Sequence, residues 1–218
     1  MKILRNFVVF EGCDGSGTTT QINILEDFFQ QNKDSLPLLS FHKTFEPTNS
    51  SIGRLIRSFL RKEITLLPET VAMLFAADRN EHIYGSGGVA ERCSRGELVV
   101  SDRYLPSSLV YQGLVCGEEL PARFNQDFPG PELLVFFDIN PETAQRRMTG
   151  RDVKEIYEHL EFQIKVRDRY KSLLPVFAAQ GVMVEVIDAS PPPDEVAKEL
   201  WRVLKKISIL ESLAYKLA

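Results

Sequence analysis

Cationic excess is missing from this chain: across 218 residues, 26 Lys and Arg stand against 30 Asp and Glu, a formal net charge of −4. Nothing in that balance draws the molecule to nucleic acid or to an anionic membrane surface, so any phosphate it holds must be met by local cations and backbone dipoles. Cysteine is scarce. Cys13, Cys93 and Cys116 are odd in number, widely spaced and without a C-x-x-C pair, which argues against a disulfide framework or a zinc site and fits a reducing cytoplasm. His42, His82 and His159 lack any H-E-x-x-H spacing and read as surface or core histidines. Long apolar runs are absent as well: Leu133–Phe137 falls far short of the ~20 residues that span a bilayer. The amino-terminal residues show neither the apolar region nor the small-residue cleavage site of a signal peptide. What remains is a chain suited to one domain over 1–218, expected to bury roughly 70% of the surface its unfolded form exposes.

Short apolar runs place strands at Asn6–Phe10, Leu38–Lys43, Leu98–Ser101, Leu133–Ile139 and Val182–Ile187. Most are continuous rather than alternating, as strands covered on both faces are; Ser40 and His42 make the second the weakest. Helices are expected at Thr18–Asn32, Ile52–Arg61, Pro68–Cys93, Ser107–Leu114, Pro141–Thr149, Lys154–Gln180 and Asp194–Lys206, long enough to serve as crossovers between parallel strands. There is no internal repeat, and Pro191-Pro192-Pro193 is a local breaker rather than a domain linker. The class is α/β: a five-stranded parallel sheet with helices on both faces, a fold that binds ligands at the carboxyl ends of its strands.

At the end of the first strand, Phe7-Val8-Val9-Phe10 runs into Glu11-Gly12-Cys13-Asp14-Gly15-Ser16-Gly17-Thr18-Thr19-Thr20-Gln21. Glycines let the backbone approach a bulky anion, and the free N–H groups at the following helix start favour negative charge. The spacing is that of the P-loop, G-x-x-x-x-G-K-[ST], with Thr18 at the lysine position. Gly12, Gly15, Ser16, Gly17, Thr18 and Thr19 are the candidate phosphate binders; the alternative is a strand-to-helix turn whose glycines serve tight geometry alone. Cys13 in this loop reads as a small filler rather than a redox centre.

Polar residues follow the other strands. Thr44-Phe45-Glu46-Pro47-Thr48 follows the second, Ser101-Asp102-Arg103-Tyr104 the third, and Asp188-Ala189-Ser190 the fifth. Asp102 is positioned to bind magnesium and Arg103 to hold a phosphate, or else the two form a surface ion pair. Phe75 and Arg79, four apart on one helical face, suit stacking on a base and donation to its carbonyls; a core ring with a snorkelling arginine is the alternative. Arg146, Arg147 and Arg151 crowd Gly150 in a segment that reads either as a lid, about 145–154, or as a solvated helix end.

Taken in order, these segments resemble bacterial thymidylate kinases, nucleoside-monophosphate kinases of the P-loop class. The resemblance rests on Phe10-Glu11-Gly12-x-Asp14-Gly15-x-Gly17, on Leu74-Phe75-Ala76-Ala77-Asp78-Arg79, and on Asp102-Arg103-Tyr104 followed by Ser107-Ser108 and Tyr111-Gln112-Gly113. It implies transfer of the ATP γ-phosphoryl group to dTMP with Mg2+ as cofactor, in a cytoplasmic homodimer without nucleic-acid or membrane partners. It also implies residue roles. Asp14 meets the acceptor 3′-hydroxyl, Phe75 stacks on thymine, Arg79 donates to the base edge, and Arg103 holds the acceptor phosphate. Ser108 and Gln112 line the base pocket, Tyr111 packs on the deoxyribose, and Glu46 and Pro47 belong to the same acceptor motif. Thr19 and Asp102 serve magnesium, while Arg147 and Arg151 are lid arginines. Gly15, where some relatives carry arginine, fits the variety that draws its catalytic arginine from the lid. Thr18 for lysine, and Phe45 where relatives read arginine, depart from the pattern. On this reading, Arg79→Ala and Arg103→Ala damage acceptor use while leaving folding nearly intact.

Overall fold

The computed structural model describes residues 1–33, 40–148 and 156–210. Along the chain run β1 (Ile3–Gly12), α1 (Thr18–Gln31), β2 (Phe41–Phe45), α2 (Ser51–Leu60), α3 (Pro68–Tyr84), α4 (Val89–Ser94) and β3 (Leu98–Asp102). Then come α5 (Leu105–Cys116), α6 (Glu119–Asn125), β4 (Gly130–Asp138), α7 (Pro141–Arg147), α8 (Leu160–Ala179), β5 (Met183–Asp188) and α9 (Pro193–Leu204). The strands form a parallel sheet in the order β2-β3-β1-β4-β5. The later strands are added on one side of β1 (β2, β3) and then on the other (β4, β5), so the crevice at that switch point opens where β1 ends.

Why the sheet forms where it does follows from burial. Phe7–Phe10, Leu98–Val100 and Leu133–Phe137 are all fully buried, so the central strands need the continuous apolar runs they carry. One face is covered by α1 and α9, where Phe28 and Phe29 meet Trp201 with ring centroids 4.4 and 5.9 Å apart. Tyr170 of α8 lies against Phe136 on the sheet, at 5.1 Å. A smaller apolar cluster, built from Ile56, Phe59, Leu60 and Val71 with Phe75, Ile156 and Tyr157 against it, joins α2, α3 and the approach to α8.

Register aligns the strand ends that matter. Phe10 pairs with Asp102, Asp102 with Phe45, and Gly12 with Phe137, which brings the phosphate loop, the β3 carboxylate and the β2 exit onto one rim. Several sequence expectations shift here. The helix expected over Pro68–Cys93 is two, because Gly85-Ser86-Gly87-Gly88 breaks it after Tyr84, with Gly87 at φ +69°. The strand expected at Leu38–Lys43 is instead Phe41–Phe45, drawn on by its pairing with β3 as far as Asp102; residues 34–39 lie outside the described ones. Helix α6 had no expectation, and α8 starts at Leu160 rather than Lys154.

Candidate active site

The phosphate loop is held from below. A Cβ on Gly15, which sits at φ +83°, would meet the Ala144 carbonyl oxygen at 2.6 Å and the Met148 side chain at 3.0 Å. The last turn of α7 therefore rests on the loop, and no side chain fits at position 15. Gly17, at φ +94°, then turns the chain into α1, whose first residue, Thr18, is buried. Among the described residues, no lysine lines the cavity at this helix start.

Two residues meet at that rim as the sequence placed them. Thr19 Oγ1 donates to Asp102 Oδ2 at 2.5 Å. A hydroxyl beside a carboxylate oxygen is a hard-oxygen donor set that fits magnesium. Among the described residues no cluster of three or more His, Cys, Asp or Glu occurs. An ion at this pair would therefore take most of its coordination from phosphate oxygens and water.

Arg103 has a left-handed backbone, φ +73°, unusual for a residue with a Cβ. Its N–H donates to the Phe10 carbonyl at 3.0 Å, and Ser101 Oγ donates to its carbonyl at 2.7 Å, which fixes the conformation. The turn sends the guanidinium back to the phosphate loop. There it donates to the Gly12 carbonyl, to Asp14 Oδ1 at 2.9 Å and to Tyr170 Oη at 3.1 Å. Burial works against its charge but is outweighed by its tyrosine and carboxylate neighbours, so it stays protonated. Tyr111 Oη donates to the same Asp14 oxygen at 3.1 Å.

Beneath this pair lies Glu11, a fully buried carboxylate that sequence reasoning left without a role. It accepts from Tyr104 N at 3.0 Å, Ser107 N at 3.2 Å, Ser107 Oγ at 2.6 Å and Tyr170 Oη at 2.7 Å. Burial pushes its pKa up, against the pull of Arg103 and these donors. The bonds tie β1 to the first turn of α5 and thereby set the helix that carries Tyr111 and Gln112. An acid ending an apolar strand was the available signal, for Glu11 as for Asp102.

The acceptor-side residues form a second set. Arg79 is almost fully buried, donating through Nε (3.0 Å) and Nη2 (2.6 Å) to Glu46 Oε2, through Nη2 to Ser108 Oγ (3.0 Å), and through Nη1 to Asn125 Oδ1. His82 Nδ1 lies 2.9 Å from the other Glu46 oxygen. Asp78 accepts from Thr48 N and Thr48 Oγ1, each at 2.6 Å, and from Ser50 Oγ at 2.7 Å, which clips the loop after β2 to α3. These bonds correct two expectations. Ser108 stands behind Arg79 rather than lining the cavity, where Ser107 is found instead. The other concerns Arg79→Ala: an arginine this buried and this fully bonded cannot be removed without cost to folding.

These residues border two cavities that share part of their walls. One, about 590 Å³, is walled by Asp14–Gln21, Phe45, Arg57, Asp102 and Arg147, among others. The other, about 140 Å³, is walled by Phe75, Arg79, Tyr111, Gln112 and Tyr157, among others. Asp14, Glu46, Pro47 and Arg103 line both. Gln112 Oε1 is buried without a partner among the described residues, an acceptor poised for a donor group. Arg57 and Tyr157 are wall residues that the sequence did not single out; Arg57 lies over the Phe45 ring at 5.4 Å and brings a cation beside the place where relatives carry arginine. Arg147, a wall of the larger cavity, has its guanidinium engaged by backbone. Its guanidinium donates to the carbonyls of Ala189 and Ser190, each at 2.8 Å, along the wall after β5. Arg151 lies outside the described residues, as does most of the expected lid.

Comparison with known proteins gives a consistent answer. The family model described as Thymidylate kinase matches residues 10–200. The chain is 43% identical over 174 residues to the putative thymidylate kinase of Treponema pallidum, covering 79% of this chain and 81% of that one. It is 38% identical over 202 residues to the probable thymidylate kinase of Pyrobaculum aerophilum, covering 92% and 97%. The likeness therefore reaches beyond bacterial members. The solved structure of thymidylate kinase from Candida albicans matches with a TM-score of 0.76 at 23% identity, over 94% of this chain and 93% of that one, a likeness of fold. With the model and the relatives each spanning most of its length, the chain belongs to the thymidylate kinase family.

Proposed function

We propose that this protein transfers the γ-phosphoryl group of ATP to dTMP, giving dTDP and ADP. The observation that carries the reading is the wall that the two cavities share, formed by Asp14, Glu46, Pro47 and Arg103. A donor seated at the phosphate loop and a base seated between Phe75 and Gln112 would bring their phosphates together at Arg103. An acceptor phosphate is already an anionic nucleophile at neutral pH, so the chemistry needs positioning and charge neutralisation rather than a general base. Thr19 and Asp102 would hold a magnesium ion, which would neutralise donor phosphate charge. The geometry disfavours a nucleoside acceptor, whose neutral hydroxyl would need a carboxylate base: Glu46, the nearest in motif, is committed to Arg79 and His82.

Thr18 is the point on which activity turns. Loss of the loop lysine removes a cation from the phosphoryl group in transit, and one well-placed arginine in comparable enzymes contributes ~10³–10⁵ in rate. Our reading is an active enzyme that draws this charge from the lid, with Arg151 as the candidate. Exposed apolar side chains on and beside α3, Leu67, Met73 and Tyr84, suit the homodimer that belongs to this reading. The three free cysteines suit a cytoplasmic setting. A coupled assay with ATP, magnesium and either dTMP or thymidine, run on wild type, Thr18→Lys and Arg151→Ala, tests the whole. Turnover of dTMP that collapses in Arg151→Ala supports it. A silent wild type revived by Thr18→Lys points to a lapsed enzyme, and turnover of thymidine in preference to dTMP overturns the acceptor.

A further inference from the structure

Gln163 stands in the first turn of α8, far in sequence from the phosphate loop, and is almost completely buried. Its amide closes a ring with Asp14. Oε1 accepts from the Asp14 backbone N–H at 3.0 Å, while Nε2 donates to Asp14 Oδ2 at 2.7 Å. The same Nε2 donates to the Tyr157 carbonyl at 2.8 Å. Asp14 and Tyr157 are both walls of the smaller cavity, and Gln163 is not. The orientation of the amide is dictated by its partners: a flip would aim its oxygen at a carboxylate and a carbonyl, and its NH2 at a backbone N–H.

We infer that Gln163 is a positioning residue for the acceptor nucleotide, holding the Asp14 carboxylate and the Tyr157 backbone in fixed relation so that the acceptor sugar meets a preset oxygen. Oδ1 of Asp14 is taken by Arg103 and Tyr111, and Gln163 takes one direction on Oδ2. What is left of Oδ2 is the acceptor surface available to a sugar hydroxyl. The bond from Gln163 also fixes Oδ2, and without it the carboxylate is held through Oδ1 alone, by Arg103 and Tyr111. The inference rests on the dTMP reading above, and on Asp14 meeting the 3′-hydroxyl.

Size-matched substitutions separate this role from simple packing. Gln163→Met keeps the volume and loses every bond; Gln163→Glu keeps an oxygen for the Asp14 N–H but sets a second oxygen against Oδ2 and the Tyr157 carbonyl. Equilibrium binding of dTMP, of 3′-deoxy-dTMP and of ADP to each protein is the measurement, with melting temperature alongside. In wild type dTMP should bind about tenfold tighter than its 3′-deoxy analogue, the effect of a hydrogen bond to a charged group. In both variants that preference should shrink to within about twofold, with Gln163→Glu weakest for dTMP and ADP binding nearly unchanged. Adding Gln163→Met to Asp14→Ala should weaken dTMP no further than Asp14→Ala alone. Variants that melt earlier yet keep the wild-type preference, or a double variant whose losses add, would assign Gln163 to packing only. If the folded wild type binds ADP but not dTMP, the acceptor reading itself fails and the inference falls with it. If either variant does not fold, the other decides, and the wild-type preference for the 3′-hydroxyl remains a separate requirement.

Discussion

Replacing Arg79 by alanine should unfold this protein more readily, contrary to what its motif suggests when read as surface chemistry. Arg79 and Glu46 are buried to within a few per cent, with side-chain exposures of 1% and 2%, and their closest approach is 2.6 Å. Breaking such a pair from one side strands the other charge, at a cost of about 3–5 kcal/mol. Here the stranded group is the Glu46 carboxylate, left with His82 alone, while Asn125 and Ser108 each lose a donor. The guanidinium also lies over the rings of Tyr104 and Phe128, at 5.2 and 5.8 Å, and those contacts go with it. Against a total stability of roughly 5–15 kcal/mol for a domain, that loss is large. For a chain of this length it corresponds to a fall in Tm of about 6–20 °C. Arg103→Ala is the comparison. Its side chain is 16% exposed, Asp14 keeps Tyr111, Gln163 and solvent, and Glu11 keeps its other donors, so about 1–2 kcal/mol is expected. Urea unfolding followed by circular dichroism measures both. Removing both charges together, in Arg79→Met with Glu46→Gln, should recover part of the stability lost by Arg79→Ala. A loss under about 1 kcal/mol in Arg79→Ala, or a double variant as unstable as the sum of its parts, would refute the buried-pair account.

Acceptor selectivity should be uneven. The 5-methyl of dTMP is worth ~1–3 kcal/mol in an apolar pocket, so kcat/KM should fall modestly for dUMP. It should fall much further for UMP on the proposal that Tyr111, bonded to Asp14, crowds a 2′-hydroxyl; equal values for dTMP and UMP would remove that role. The cysteines should report their burial. Burial pushes the Cys13 thiol up to about 11 and the Cys93 thiol up to about 12, so at pH 8 a thiol reagent should modify the half-buried Cys116 first. Both thiols hold their protons more tightly folded than unfolded, where they ionise near 9. Their contribution is therefore intact below pH 9 and is lost as pH rises toward about 11 for Cys13 and about 12 for Cys93, a decline in urea midpoint that Cys93→Ala should make shallower.

Much of the site was legible because its chemistry sits in short, contiguous pieces. A buried apolar strand must end somewhere, and in a parallel sheet its end is a site; the phosphate loop, Thr19, Asp102 and Arg103 follow from that rule and from local spacing alone. Helical periodicity put Phe75 and Arg79 on one face, since side chains four apart are neighbours, but left a core ring with a snorkelling arginine as the alternative. Local rules also found the sheet, because strands buried on both faces must be apolar throughout. What they could not decide is which polar group answers which. Glu11 and Asp102 look alike as acids ending apolar strands, yet one is fully buried beneath α5 and the other meets Thr19 at the rim. Ser107 and Ser108 are neighbours in sequence, but the turn of α5 sends one to the cavity and Glu11 and the other to Arg79. Arg147 reads as a lid cation until the loop after β5 supplies carbonyls to hold it. Gln163 carries no local signal at all, being 149 residues from the aspartate it holds. Such pairings join groups remote along the chain, and burial is what makes them obligatory: a polar group taken out of water must find its partner wherever the fold has placed one.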